Sequence, residues 1–277
     1  MTTNNSVRME KLGIEHLSVF GLPPVAFVNL AADLGCHYIA TGLTPAPFNP
    51  HGYAPFSLRD DAALRREMVS AMRDRGVSIS LGEGFSVRAG DNIRERAADL
   101  QVMAELGVVR INTVSLDPDL TRSFDQFGEL AGMAGALDIE TTVEFGPGLA
   151  VADLATALAA LRHVGRPDFR LLIDTMHLVR SGSGAADIAA LDPSLIGYAQ
   201  LSDAPLVPRI PSYMEEAMFE RMVPGEGELP LRDVLAALPS GLVIGIEVPL
   251  RSQAEAGIGP RERLQRCLEG ARRLLAG

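Results

Sequence analysis

Short apolar runs recur along this chain at intervals of about thirty residues, and the stretches between them carry apolar residues at helical spacing. The runs fall at 14–20, 38–41, 77–82, 108–114, 139–145, 169–174, 195–201 and 242–248. Helical patterns follow at 24–34, 58–74, 91–106, 119–137, 151–163, 185–190 and 260–276. Strands that alternate with helices pair in parallel, because a parallel neighbour needs a crossover connection.

Eight such units in roughly 250 residues predict an α/β protein closed into a (β/α)8 TIM barrel. An open, doubly wound sheet is the competing arrangement. The turn after the first run lacks the Gly-x-Gly-x-x-Gly pattern that would favour it. The reading is one domain over residues 1–277, with a polar leader at 1–12 and a long irregular insertion at 204–228 after the seventh strand.

Composition narrows the class of function. A net charge of -10 argues against a general grip on nucleic acid or on an anionic membrane. Cys36 and Cys267 are too few for a disulfide framework and point to a reducing compartment. With a polar start and no apolar run of spanning length, the expected location is the cytoplasm. A small polar carbonyl compound is the expected partner, and a homo-oligomer is left open.

In a β/α barrel the active site is built at the C-terminal ends of the strands. Strand five ends in Glu144, strand six in Asp174 within LLIDTMHLVRSG, strand seven in Gln200 and Asp203, and strand eight in Glu247. Glu144 and Asp174 lie 30 residues apart and Asp174 and Gln200 lie 26 apart, about one β/α unit each. The 47 residues from Gln200 to Glu247 include the insertion.

Four consecutive strands thus deliver oxygen donors to one rim, and a buried acid without a partner is costly. One divalent cation on Glu144, Asp174, Gln200 and Glu247 resolves that cost. The hard oxygen set suits Mn²⁺ or Mg²⁺, and Co²⁺ or Zn²⁺ if His177 joins. The competing reading pairs the same acids with arginines or spends them on helix caps. Glu83 ending strand three, Asn112 ending strand four, His16 on strand one, Asp203, and Arg221 in the insertion are candidates to hold substrate. Arg209 is a weaker candidate than Arg221 for an anionic group.

The set Glu144, Asp174-Thr-Met-His177, Gln200-Leu-Ser-Asp203 and Glu247, with Arg221-Met-Val-Pro-Gly-Glu-Gly-Glu228, resembles the xylose isomerase-like TIM-barrel superfamily of sugar phosphate isomerases and epimerases. The likeness covers nearly the whole chain, with its sharpest motifs between residues 140 and 250. It implies that Glu144, Asp174, Gln200 and Glu247 bind one divalent metal. Many sugar epimerases of the group carry His at the Gln200 position, whereas Gln is familiar in the 3-dehydroshikimate dehydratase-like branch.

Such a site suits proton abstraction next to a carbonyl, with Glu144 and Glu247 exchanging protons on opposite faces of a metal-stabilised enediolate and His177 assisting. The expected activity is that of a metal-dependent isomerase or epimerase of a sugar or similar carbonyl compound. A dehydratase of the 3-dehydroshikimate or inosose type is the alternative. An abasic-site endonuclease shares the fold, but it needs a histidine-rich metal cluster and a basic groove. Five histidines and a net charge of -10 oppose it.

Overall fold

The computed structural model describes residues 11–46 and 48–276. Eight strands close into a barrel in the order β1 to β8: Leu12–Ile14, Tyr38–Thr41, Ser78–Val87, Arg110–Ser115, Glu140–Glu144, Phe169–Asp174, Ile196–Leu201 and Ile244–Ile246. Every neighbouring pair is parallel, including β1 with β8, which closes the cylinder. The doubly wound alternative is thereby excluded.

The helices that carry the crossovers are α1 (Pro24–Asp33), α2 (Ala62–Arg75), α3 (Ala97–Glu105), α4 (Leu120–Gly135), α5 (Leu154–Val164), α6 (Thr175–Arg180) and α7 (Ala185–Ala189). They continue with α8 (Tyr213–Phe219), α9 (Leu231–Ala237), α10 (Arg251–Glu255) and α11 (Pro260–Ala276). Aspartate caps start several of them: Asp61, Asp119, Asp153 and Asp174 each accept from a backbone N–H three residues on. No described helix is long and apolar enough to cross a membrane.

Most buried apolar side chains lie between sheet and helices, while Ala40, Leu81, Leu172 and Tyr198 form a separate small cluster. Four elements differ from the sequence reading. The first strand spans Leu12–Ile14 rather than 14–20, and a 3-10 turn occupies His16–Val19. Ser18 Oγ donates to the Ile246 carbonyl at 2.9 Å and accepts from the Val248 N–H at 2.8 Å, so a side chain takes over from the ladder. Most of the polar leader at 1–12 lies outside the described residues, and its last residue, Leu12, begins β1.

The short helix α6 follows Asp174 at once, capped by its side chain. The insertion is not irregular throughout, because α8 forms inside it. Ser212 Oγ accepts from the Glu215 N–H, and Glu216 makes a buried ion pair with Arg180 at 3.2 Å.

Candidate active site

The C-terminal ends of β3 to β8 converge on a cavity of about 400 Å³ whose walls include His16, Glu83, Glu144, His177, Arg221 and Glu247. Glu144 closes β5, where its Oε2 accepts from Asn112 Nδ2 at 2.6 Å. Asn112 also reaches Glu83 Oε2 at 3.5 Å, so it ties two acids together. Glu83 sits at a register shift in β3, next to Gly84 with a φ of +103°. That bulge turns the glutamate toward the cavity.

His177, in the first turn of α6, places Nε2 3.2 Å from Glu144 Oε1 and Nδ1 2.5 Å from the Tyr213 hydroxyl of α8. Gly146 makes room for the ring, since a Cβ there would lie 2.8 Å from His177 Cγ. Against an ionised Glu144 the facing Nε2 donates while Nδ1 accepts from Tyr213, and a cation that took Nε2 as a ligand would replace that proton. Burial first, then the charge of Asp174, raises the Tyr213 pKa and keeps its hydroxyl protonated.

Asp174 has two tasks. Its Oδ1 caps α6 through the His177 N–H at 2.8 Å, and its Oδ2 lies 2.5 Å from Arg221 Nη1. Arg221 Nη2 lies 3.0 Å from Glu247 Oε2, so one guanidinium bridges the acids that end β6 and follow β8. Arg221 Nε donates to the Ala217 carbonyl at 2.7 Å, and Nη1 to Ser202 Oγ at 3.1 Å. With 3 % exposure it is part of the site's floor rather than a mobile clamp from the insertion. Burial works against its charge, and the Asp174 and Glu247 carboxylates outweigh it, so the pKa rises.

The acids divide by surroundings. Burial pushes Asp174 up, but Arg221 and His177 overcome that and hold it below its ordinary value. Glu247 stands well above the usual carboxylate range, through burial first and then the charges of Glu144, Asp174 and Glu15, against the pull of Arg221. Glu83 is raised well up by burial and by Glu144 and Glu15. His16 lines the cavity with Nδ1 unpartnered among the described residues, and burial lowers its pKa to about 4.

Glu15 is the site acid that the sequence reading missed. It is fully buried just past β1, accepts from the Tyr198 hydroxyl at 2.8 Å and from Gln200 Nε2 at 3.3 Å, and is pushed up to about 7 mainly by burial. Gly245 is the signal for it: a Cβ there would fall 1.6 Å from Glu15 Oε1.

One other expectation is corrected. Asp203 is not among the residues that line the cavity. Its Oδ1 accepts from Ala204 and Leu229 and its Oδ2 from Gly225 and Gly227, all at 2.9 to 3.1 Å, which locks the Pro-Gly-Glu-Gly turn behind Arg221. Arg209 is exposed on the insertion. Asp203→Ala leaves four backbone N–H groups without that acceptor, so a loss of about 3 kcal/mol or more is expected in urea unfolding. Unchanged stability would show that the turn holds without it.

The donors suit a divalent cation. One ligand atom each from Glu144, Asp174 and His177 lies within 4.8 Å of the others. Gln200 Oε1 is a buried oxygen with no partner among the described residues, while Gln200 Nε2 reaches Glu247 Oε1 at 3.2 Å. Five buried or half-buried carboxylates, of Glu15, Glu83, Glu144, Asp174 and Glu247, gather around one guanidinium, that of Arg221, among the described residues of this cluster. A cation held by both Asp174 and Glu247 shares them with Arg221.

The raised acids also set a pH dependence. An acid whose folded pKa exceeds its unfolded one favours the fold while protonated, so the Glu15 contribution is whole below about pH 4.5 and fades as pH rises through about 7. The rise from 4.5 to about 7 corresponds to about 3 kcal/mol at ~1.4 kcal/mol per unit. The cation-free protein is expected to lose stability between about pH 5 and 7.5, and a saturating divalent cation to flatten the curve. Urea titrations across that range check this, and a flat cation-free curve would contradict it.

A closed parallel barrel with an acid-rich rim at its C-terminal face defines a class of single-site barrel protein. This chain belongs to the xylose isomerase-like TIM barrel family, whose profile matches residues 28–272. No curated protein matches the sequence. Among solved structures it is similar to the IOLI protein with a bound zinc atom, at 18% identity and TM-score 0.78 over 96% of this chain and 98% of that one. A xylose isomerase domain containing protein from Salmonella typhimurium LT2 is similar at 17% identity and TM-score 0.74, over 94% and 97%. D-psicose 3-epimerase from Clostridium cellulolyticum H10, solved with D-tagatose, is similar at 15% and 0.71, over 96% and 99%. At these identities the likeness is one of fold.

Proposed function

We propose that this protein is a divalent-metal-dependent isomerase or epimerase that moves a proton at the carbon beside a carbonyl, on a compound that carries a hydroxyl next to that carbonyl, as sugars do. The observation that carries this reading is the grouping of Glu144, Asp174 and His177 within 4.8 Å at a cavity that Glu144, His177 and Glu247 line, with the unpartnered Gln200 oxygen in the same buried network. Glu144, Asp174, Gln200 and Glu247 would hold the cation, with Mn²⁺ or Mg²⁺ suited to the oxygens and Co²⁺ or Zn²⁺ admitted by His177. A cation bound there supplies Lewis acidity at the substrate's carbonyl oxygen.

The chain's own residues do the rest. Glu144 and Glu247, at the end of β5 and just past β8, three strands apart in the barrel, exchange the proton with carbon. Asn112 and His177 hold Glu144 in place from both of its oxygens. Arg221 fixes the direction of Glu247 and keeps positive charge close to where the carbonyl oxygen becomes negative. Return of the proton to the opposite face epimerises, and return to the neighbouring carbon isomerises.

Loss of a β-hydroxyl instead gives dehydration, and Gln200 in place of a histidine favours that second reading. A conjugated, ultraviolet-absorbing product from 3-dehydroshikimate would replace the isomerase reading with it. We place the protein in the cytoplasm, where the buried free thiols Cys36 and Cys267 stay reduced. Chelation is expected to remove activity, and Mn²⁺, Mg²⁺ or Co²⁺ to restore it. An unchanged rate after verified metal removal would refute the metal-dependent reading.

A further inference from the structure

The cavity beside the acids has a large apolar share. Next to the polar and charged residues of the site, its lining includes Val114, Leu116, Leu149, Met214, Ala217 and Met218, which form an apolar wall. Leu116 is 40% exposed at this mouth, and Met214 and Met218 are half-buried. Apolar side chains left partly open around a concave site mark a place for an apolar ligand surface.

Three of the six wall residues belong to α8, and that helix is firmly built. Glu216 pairs with the buried Arg180, Arg251 reaches Glu215 at 3.0 Å, and Tyr213 is bonded to His177. The insertion therefore sets a hydrophobic wall over the reacting groups, and its two methionines adapt to irregular shapes.

We propose that the substrate is a hydroxy-carbonyl compound whose non-reacting part is a hydrocarbon body, aromatic, alicyclic or alkyl, rather than a hydroxylated chain. At the ~30 Å³ that a water-sized group occupies in a liquid, about 400 Å³ accommodates roughly a dozen non-hydrogen atoms. Two carbons and two oxygens of that total engage the floor, and the remainder meets the wall. Hydroxyls carried on the remainder would be stripped of water against that wall, and beyond the acids, histidines and Arg221 of the site the described lining offers them Ser86 and Arg88. This inference rests on the proton-transfer reading for its assay, but the wall can also be tested by binding alone.

The test compares two probes of nearly equal size on the metal-loaded full chain: 1-hydroxy-1-phenylpropan-2-one and D-fructose. Both present a ketone beside a hydroxyl-bearing carbon. Solvent deuterium exchange at that carbon is expected to be at least tenfold more efficient, as kcat/KM, for the aryl ketone. The Met214→Gln/Met218→Gln variant is expected to bring the ratio toward unity. Equal or better exchange of fructose, or a ratio unmoved in the variant, overturns the proposal.

If neither probe exchanges, thermal-shift titration separates the two readings. Tighter binding of the aryl ketone that weakens in the variant upholds the apolar wall while the proton-transfer reading fails. Equal binding of both probes, or binding of neither, overturns the wall as well.

Discussion

Glu144→Gln and Glu247→Gln are each expected to lower kcat/KM about a thousandfold while the barrel stays folded. Proton transfer by a positioned side chain contributes about 10² to 10⁴ in rate, and an amide of the same shape can neither take nor deliver that proton. The amide at 144 can still accept from Asn112 through its oxygen, so the local hydrogen bonding survives in part. At 247 the amide keeps the shape of the side chain and Arg221 keeps its pairing with Asp174, so the barrel is retained. Circular dichroism and urea unfolding establish that each variant is folded, and steady-state rates then read the effect. Full activity in either variant would end the paired-glutamate scheme.

Arg221→Met is expected to cost the cation-free protein about 3–5 kcal/mol, the usual result of removing one partner from a buried ion pair. The guanidinium bridges Asp174 and Glu247, whose side chains are 0% and 10% exposed, and methionine fills part of the space without replacing the charge. A divalent cation competes for the same carboxylates. At one fixed concentration Mn²⁺ is therefore expected to stabilise the variant more than the parent chain, the variant gaining about 3 kcal/mol where that concentration is a hundred times its own dissociation constant. Paired urea titrations with and without Mn²⁺ measure both effects. Equal stabilisation of the two proteins would show that Arg221 and the cation do not share ligands.

The barrel was readable because turn residues separate the apolar runs and several helices begin at an aspartate cap, so the chain's period survives without any knowledge of contacts. The acids at the ends of β5, β6 and β8 were readable for the same reason: an apolar run that stops at a carboxylate marks a strand end. Glu15 escaped because Leu17, Val19 and Phe20 follow it, so that 14–20 reads as one mixed strand with Glu15 inside it, and Ser18's bonds around β8 show where the ladder stops.

Asp203 looked like a site residue because it stands three residues past Gln200, and its use by four loop amides depends on a turn more than twenty residues further on. Arg221 was picked out by its place before the Pro-Gly turn, but sequence carried no sign that it would lie between two acids. That arrangement joins part of the competing arginine-paired reading to the metal reading, since the same carboxylates serve both. Helix α8 had a readable start in Ser212-Tyr-Met-Glu215, a capping pattern masked by the prolines at 205, 208 and 211.

The central claim is that this rim moves a proton at the carbon beside a carbonyl. Its most direct measurement is solvent deuterium incorporation into hydroxy-carbonyl compounds incubated with metal-loaded protein in heavy water, read by mass spectrometry and NMR. The account predicts deuterium at the carbon beside the carbonyl, lost in Glu144→Gln and Glu247→Gln. No incorporation by the metal-loaded parent chain across sugars and apolar hydroxyketones alike would contradict it.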